Sequence, residues 1–259
     1  MPFVAPLPFV LVLARLGGLL LAAPLFGHVA VPARLRAGIA GVLALALAPT
    51  LPASHLPAEA SFGTLAGLVG LEAVVGVLLG FVAQLVFAGV QLGGEIAGLQ
   101  AGFGFASIVD PGGSGGATVV AHWQHLAALL AFLVLDVHHV VLRAVLESFR
   151  VAPIGSVVLD GGVLHGVVTH AGSLFATAVR LAAPVVVVLL LVQGALGVLA
   201  RTMPQLHAFA VGAPVTVGVG LVVLGASLPF TAQLLADRFA ALGAFLGGLV
   251  DSLGALAHG

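Results

Sequence analysis

The sequence predicts an all-α polytopic membrane protein of about six hydrophobic helices arranged in hairpins. Three observations carry that expectation: the apolar share of the chain, the scarcity of charge, and the number and spacing of glycines. Hydrophobic residues make up 61% of the 259, charged residues only 7%, and mean hydropathy is +1.28. A soluble domain is roughly half apolar and a quarter charged, so lipid is the solvent for most of this chain. The length accommodates about six crossings of about 20 residues each with short connections, and a single membrane-embedded domain is the simplest organisation.

The first helix falls within residues 1–25. The run has small residues at Ala22 and Ala23, as a secretory signal would, but it lacks a basic leading region and carries Arg15 inside its apolar stretch, so it reads as a retained helix. Further apolar segments follow at residues 37–52, 73–94, 122–135, 181–200 and 202–236. The last exceeds one crossing and is punctuated by Pro204, Pro214 and Pro229, so its ends lie outside the hydrocarbon or bend within protein. Polar breaks at residues 28–36, 52–61, 110–117, 147–162 and 201–207 divide the chain into hairpins. Arg34, Arg36 and Arg201 favour the cytoplasmic side, which with six crossings puts both termini outside.

Glycine supplies 36 of the 259 residues, about twice average usage. Gly76 with Gly80, Gly89 with Gly93, Gly94 with Gly98 and Gly102, and Gly243 with Gly247 recur every four residues. Such faces let helix backbones approach closely, which in lipid replaces the missing hydrophobic drive for association.

Other function classes are disfavoured by what the chain contains. Net charge is −1, and the eight basic residues are scattered arginines, so no basic patch suggests nucleic acid. With no cysteine there is no disulfide, thiolate metal site or cysteine nucleophile. His122 and His125 lie three apart and His138 adjoins His139, but zinc sites need three or four converging ligands, so no metal and no cofactor is expected. Gly112-Gly113-Ser114-Gly115 spells a serine-protease-like tetrapeptide that His170 could serve, yet it follows Asp-Pro in a flexible stretch rather than opening a rigid helix. A small-solute secondary transporter would show broken helices and paired ionisable residues at the midplane; the late prolines allow the first feature only.

One stretch is more specific than composition. Gly94-Glu95-Ile96-Ala97-Gly98-Leu99-Gln100-Ala101-Gly102-Phe103-Gly104-Phe105-Ala106-Ser107-Ile108-Val109-Asp110-Pro111 resembles the signature segment of the FliR family of flagellar export-gate proteins. Residues 136–149, with His138-His139, Leu142-Arg143 and Glu147-Ser148-Phe149, resemble the family's helix ending in an acidic-Ser-Phe turn. Pro153, Ile154 and Gly155 continue the pattern. Arg201-Thr202-Met203-Pro204-Gln205 is similar to the family's loop between its last hydrophobic segments, and Ala23-Pro24-Leu25-Phe26 with Val31-Pro32 to its N-terminal pattern. The resemblance spans almost the whole chain. It departs at Ala101, where the family usually has Met, and at Asp136-Val137, where it usually has Asn-Gly. The homologues of virulence type III secretion systems, SctT, differ at the equivalent of residues 99–102, which favours the flagellar member.

The resemblance implies a subunit of an export gate in the bacterial inner membrane, at the flagellar basal body, that conducts polypeptide rather than catalysing a reaction. Residues 1–160 would be FliP-like and residues 161–259 a FliQ-like helical hairpin. Its implied partners are FliP and FliQ in the gate, FlhB wrapped around it, FlhA beside it, and unfolded flagellar proteins in transit. Phe103, Phe105, Ala106, Ser107, Ile108, Val109, Asp110, Pro111, Gly112 and Gly113 would plug the pore. Physically, Asp110-Pro111 interrupts a helix and glycine frees the backbone. Irregular backbone at membrane depth survives only inside protein or beside a water-filled cavity, and apolar side chains there exclude water and ions by dewetting. Gly94, Glu95, Gly98, Gln100 and Gly102 are expected in subunit packing. For Glu95 a contact at the gate and a helix end near the interface are equally open. Glu72, Glu95 and Gln100 all need partners or water in apolar surroundings. Arg201, Pro204 and Gln205 mark a cytoplasmic hairpin tip offered to FlhB.

Overall fold

The computed structural model describes residues 7–27, 31–51, 61–104, 117–157, 160–202 and 208–257, the side chains of 208–211 and 256–257 apart. The described residues form α1 (Leu7–Ala22), α2 (Ala33–Leu47, continued by a 3-10 turn, Ala48–Thr50), α3 (Phe62–Gln100), α4 (Val119–Val134), α5 (Val137–Val151), α6 (Gly161–Thr202), α7 (Ala208–Ala226) and α8 (Leu228–Ala257). Among them there is no strand. Among the described residues four helices are long and apolar enough to cross a membrane, or five if the bent pair α4 and α5 is one span; α1 and residues 212–226 of α7 are shorter apolar helices. The architecture is all-α and polytopic.

Four segments differ from what the sequence suggests. Residues 73–94 are only the apolar middle of a 39-residue helix, and residues 181–200 lie inside one of 42 residues. At 1.5 Å per residue these helices run about 58 Å and about 63 Å, roughly twice the hydrocarbon thickness. An apolar window finds the greasy part of a helix and misses its extensions. Residues 202–236 are not one segment: α7 ends at Ala226 and α8 begins at Leu228, carrying on to Ala257. Pro229 is in the first turn of α8, where a missing N–H costs nothing, and Asp237, Arg238 and Asp251 hid the rest of that helix from an apolar reading. Glu147-Ser148-Phe149 is not a turn; α5 continues through it to Val151 because Val137, Val141, Val145 and Phe149 form a buried stripe at helical spacing.

The contacts divide the chain into two compact units. One comprises Met1–Leu85, Asp136–Ala171 and Phe239–Gly259; the other comprises Val86–Leu135 and Gly172–Arg238. In the first, α1 lies backbone to backbone on α3. A Cβ on Gly18 would fall on the Ala73 carbonyl, one on Gly76 on the Arg15 carbonyl, and one on Gly80 would come within 2.8 Å of the Leu19 carbonyl. Leu11, Leu19, Val75 and Leu79 are fully buried along that seam. In the second unit, Gly89 meets Leu174 and Gly93 meets Ala178 and Leu181, joining α3 to α6. Ala97, Ala101, Val120, Ala182, Val185 and Leu189 form its core, and Phe87 packs edge-on against Phe132 with ring centroids 5.4 Å apart.

Candidate functional site

The end of α3 and the start of α4 are built around each other. α3 stops at Gly102, whose φ of 92° is a backbone conformation open to glycine. The Gly102 N–H donates to the Leu99 carbonyl at 3.1 Å and the Phe103 N–H to the Gly98 carbonyl at 3.0 Å, the paired bonds of a Schellman stop. Among the described residues a Cβ on Gly102 would meet only Val217 at 3.7 Å and Thr216 at 3.9 Å. The φ of Gly102 is thus reason enough for glycine there.

α4 restarts at Thr118. The Thr118 hydroxyl accepts from the Ala121 N–H at 3.2 Å, the usual N-cap bond. Glu95 completes the junction: its carboxylate accepts from the Thr118 N–H at 2.8 Å. A negative group beside the first N–H groups of a helix is favoured by their exposed partial charges. Gly98 presses on Thr118, so that a methyl there would fall on its hydroxyl, and Gly94 lies under Ala121 and Gln124. The residues before 105–116 thus end α3 itself, and those after it, Thr118 and Ala121, are fastened to one face of α3. Phe103 enters an apolar cavity of about 380 Å³ shared with Trp123, Leu221 and Leu228. Gln100 donates from its side-chain amide to the Gln193 oxygen at 3.1 Å.

Of the sequence-predicted residues, Gly94, Glu95 and Gly98 come together on the start of α4, Gln100 reaches α6, and Gly102 and Phe103 form the helix stop. Phe105, Ala106, Ser107, Ile108, Val109, Asp110, Pro111, Gly112 and Gly113 lie outside the described residues, as do Pro204 and Gln205. Arg201 is exposed near the end of α6.

Sequence reasoning missed a second cluster, in the first unit. Arg15 is 0% exposed and Glu72 1%. The Arg15 Nε donates to Glu72 Oε2 at 2.6 Å, Nη1 donates to Ser148 Oγ at 3.1 Å, and Nη1 and Nη2 both donate to the Ala152 carbonyl at 3.2 Å. The guanidinium also lies 4.4 Å from the Phe149 ring centroid. The other Glu72 oxygen accepts from the Gly155 N–H at 3.0 Å. One buried ion pair thereby fastens α1, α3, the end of α5 and the turn after it. The signal was present: opposite charges in two separate apolar helices pair with each other rather than face lipid.

A third grouping lies at the start of α5. Asp136 has a left-handed φ of 54°, and its carboxylate lies 3.2 Å from His139 Nδ1 and 4.0 Å from His138 Nε2. Counting histidines alone overlooked the aspartate. The three are the one group of metal-ligating type that converges among the described residues.

Long apolar helices, glycine seams between them and a buried ion pair joining α1 to α3 define a membrane-embedded polytopic helical protein. Residues 7–242 match the model of the family described as bacterial export proteins, family 1, and the chain belongs to that family. It is 34% identical over 242 residues to the flagellar biosynthetic protein FliR of Escherichia coli, covering 93% of this chain and 92% of that protein. The FliR of Caulobacter vibrioides is 32% identical over 88% of this chain and 91% of its own length. That of Bacillus subtilis is 34% identical over 83% and 84%.

Proposed function

We infer that this chain is a component of the flagellar type III protein-export gate, and that it works by holding a displaceable plug rather than by catalysing a reaction. In this reading it sits in the bacterial inner membrane at the flagellar basal body and packs with FliP and FliQ around a pore. FlhB contacts it at Arg201, Pro204 and Gln205, and FlhA stands beside the gate. Residues 1–160 supply a FliP-like part and residues 161–259 a FliQ-like hairpin.

The observation that supports the plug is the anchoring of the residues on either side of 105–116. A plug must yield to passing polypeptide without leaving its seat, and it needs a base that does not move with it. The helix stop at Gly102 and the Glu95–Thr118 bond provide such a base on either side. Between them the sequence places Phe105, Ile108 and Val109, which exclude water, and then Pro111 and glycines, which release the backbone.

Deleting residues 107–116 tests this. Cells carrying the shortened chain should assemble the gate complex yet leak ions across the membrane and lose motility. Normal motility without leak would make the stretch a dispensable loop and remove the plug from the mechanism.

A further inference from the structure

Asp136, His138 and His139 stand within four residues of chain, and their side chains converge. Asp136 Oδ1 lies 3.2 Å from His139 Nδ1 and 4.0 Å from His138 Nε2, and one ligand atom from each of the three lies within 4.8 Å of the others. Adjacent residues of a helix point about 100° apart, so neighbouring histidines do not ordinarily share a target. These two do because they offer different nitrogens to the carboxylate, the far one from His138 and the near one from His139, with the rings 4.1 Å apart and tilted by 37°.

The carboxylate is also withheld from its usual task. An aspartate just before a helix ordinarily has extended backbone and turns its side chain onto the first free N–H groups. Asp136 has φ 54° and ψ 25° and makes no side-chain capping bond to α5. Its backbone carbonyl, not its carboxylate, accepts the His139 N–H at 3.0 Å. The carboxylate therefore faces the imidazoles with lone pairs to spare.

Two imidazole nitrogens and one carboxylate oxygen are the donor set of three-ligand zinc sites, which leave a fourth position to water. Ligand atoms about 2.0–2.2 Å from a tetrahedral ion stand about 3.3 Å apart. The 3.2 Å edge already fits, and the longer edges close by rotation of side chains that are partly or largely exposed. Magnesium and calcium prefer all-oxygen shells, so the two nitrogens select against them. Histidine spacing alone gave no reason to expect a metal; the aspartate supplies the third ligand.

We propose that Asp136, His138 and His139 bind one divalent transition-metal ion of the zinc type, which staples the left-handed residue to the first turn of α5. The site rests on residues 136–139 and not on the chain's role in export.

The test is calorimetric titration of the purified full chain in detergent, stripped of metal by chelator, with zinc chloride. The intact chain should take up one zinc ion at this site, and magnesium chloride should give no comparable heat. Asp136→Asn keeps a residue that tolerates left-handed backbone and should weaken binding about tenfold or more. His139→Ala, at an exposed position, should do the same. His122→Ala and His165→Ala, at exposed histidines of α4 and α6, should leave binding unchanged, and circular dichroism should show the same helix content in all four variants. Saturating zinc should raise the melting temperature of the intact chain and not that of Asp136→Asn. No uptake by the intact chain, or uptake that survives both Asp136→Asn and His139→Ala, would overturn the proposal. So would uptake weakened equally by replacing His122 or His165, which would make it adventitious binding to surface histidines.

Discussion

Arg15 and Glu72 set the terms at the scale of the residue, because a charge in an apolar helix bundle is tolerable only when its partners are complete. Arg15 makes four hydrogen bonds and Glu72 uses both oxygens. The pair is satisfied as a unit, so what destabilises is removal of one half. Glu72→Ala leaves a buried guanidinium without its counter-charge and should cost about 3–5 kcal/mol, read as a fall in thermal stability of the detergent-solubilised chain and in its accumulation in cells. The double replacement Arg15→Met with Glu72→Leu removes both charges and should recover much of the loss. If the double variant is as unstable as the single one, the packing around the site matters and the charge does not. Glu95 and Thr118 follow the same logic in a milder form: one carboxylate and one hydroxyl satisfy N–H groups that a helix start otherwise leaves bare.

Helices meet in this molecule where side chains are missing. Along the α1 and α3 seam the spacing Gly76 and Gly80 opens a groove into which the backbone of α1 settles, and Gly18 returns the favour. Gly76→Val puts branched carbon where the Arg15 carbonyl stands, so the helices must separate and the ion pair between them must lengthen. The expected result is loss of protection from hydrogen exchange in α1 and of thermal stability comparable to Glu72→Ala, whereas Gly70→Val, facing open space on the same helix, should be nearly neutral; equal effects would show that the seam is not what holds α1. Much of this was legible. The every-four spacing of Gly76 with Gly80, Gly89 with Gly93 and Gly94 with Gly98 marked the packing faces, and the apolar windows marked the helices. The partners were not legible. Glu72 finds its cation 57 residues away, and Glu95 finds its N–H across the stretch 105–116, distances over which no periodic pattern carries information. Helix ends were missed wherever charge continues a helix beyond lipid, as in α8 past Asp237. Gly102 was counted with the packing face because its spacing fits that face, while its φ shows that it ends the helix.

For the molecule as a whole the question is what covers its remaining apolar surface. Phe62, Val42 and Leu45 in the first unit and Leu191, Val222 and Leu130 in the second are each more than half exposed. Lipid or other subunits can cover such residues, and the open glycines distinguish the two. A Cβ added at Gly194 or Gly197 meets nothing among the described residues, so their packing gives no reason for glycine there, and in a helix glycine is about 1 kcal/mol worse than alanine. A neighbouring helix that approaches closely supplies the reason. In the gate reading, Gly194→Leu should leave the helix content and thermal melting of the isolated chain unchanged while sharply reducing the amount that co-purifies with FliP and FliQ from cells expressing all three. Undiminished recovery of the assembly would assign that face of α6 to lipid. A stable, monodisperse chain that never associates with FliP and FliQ would remove the gate reading itself, because a subunit built to be surrounded has no use for surface that is content alone.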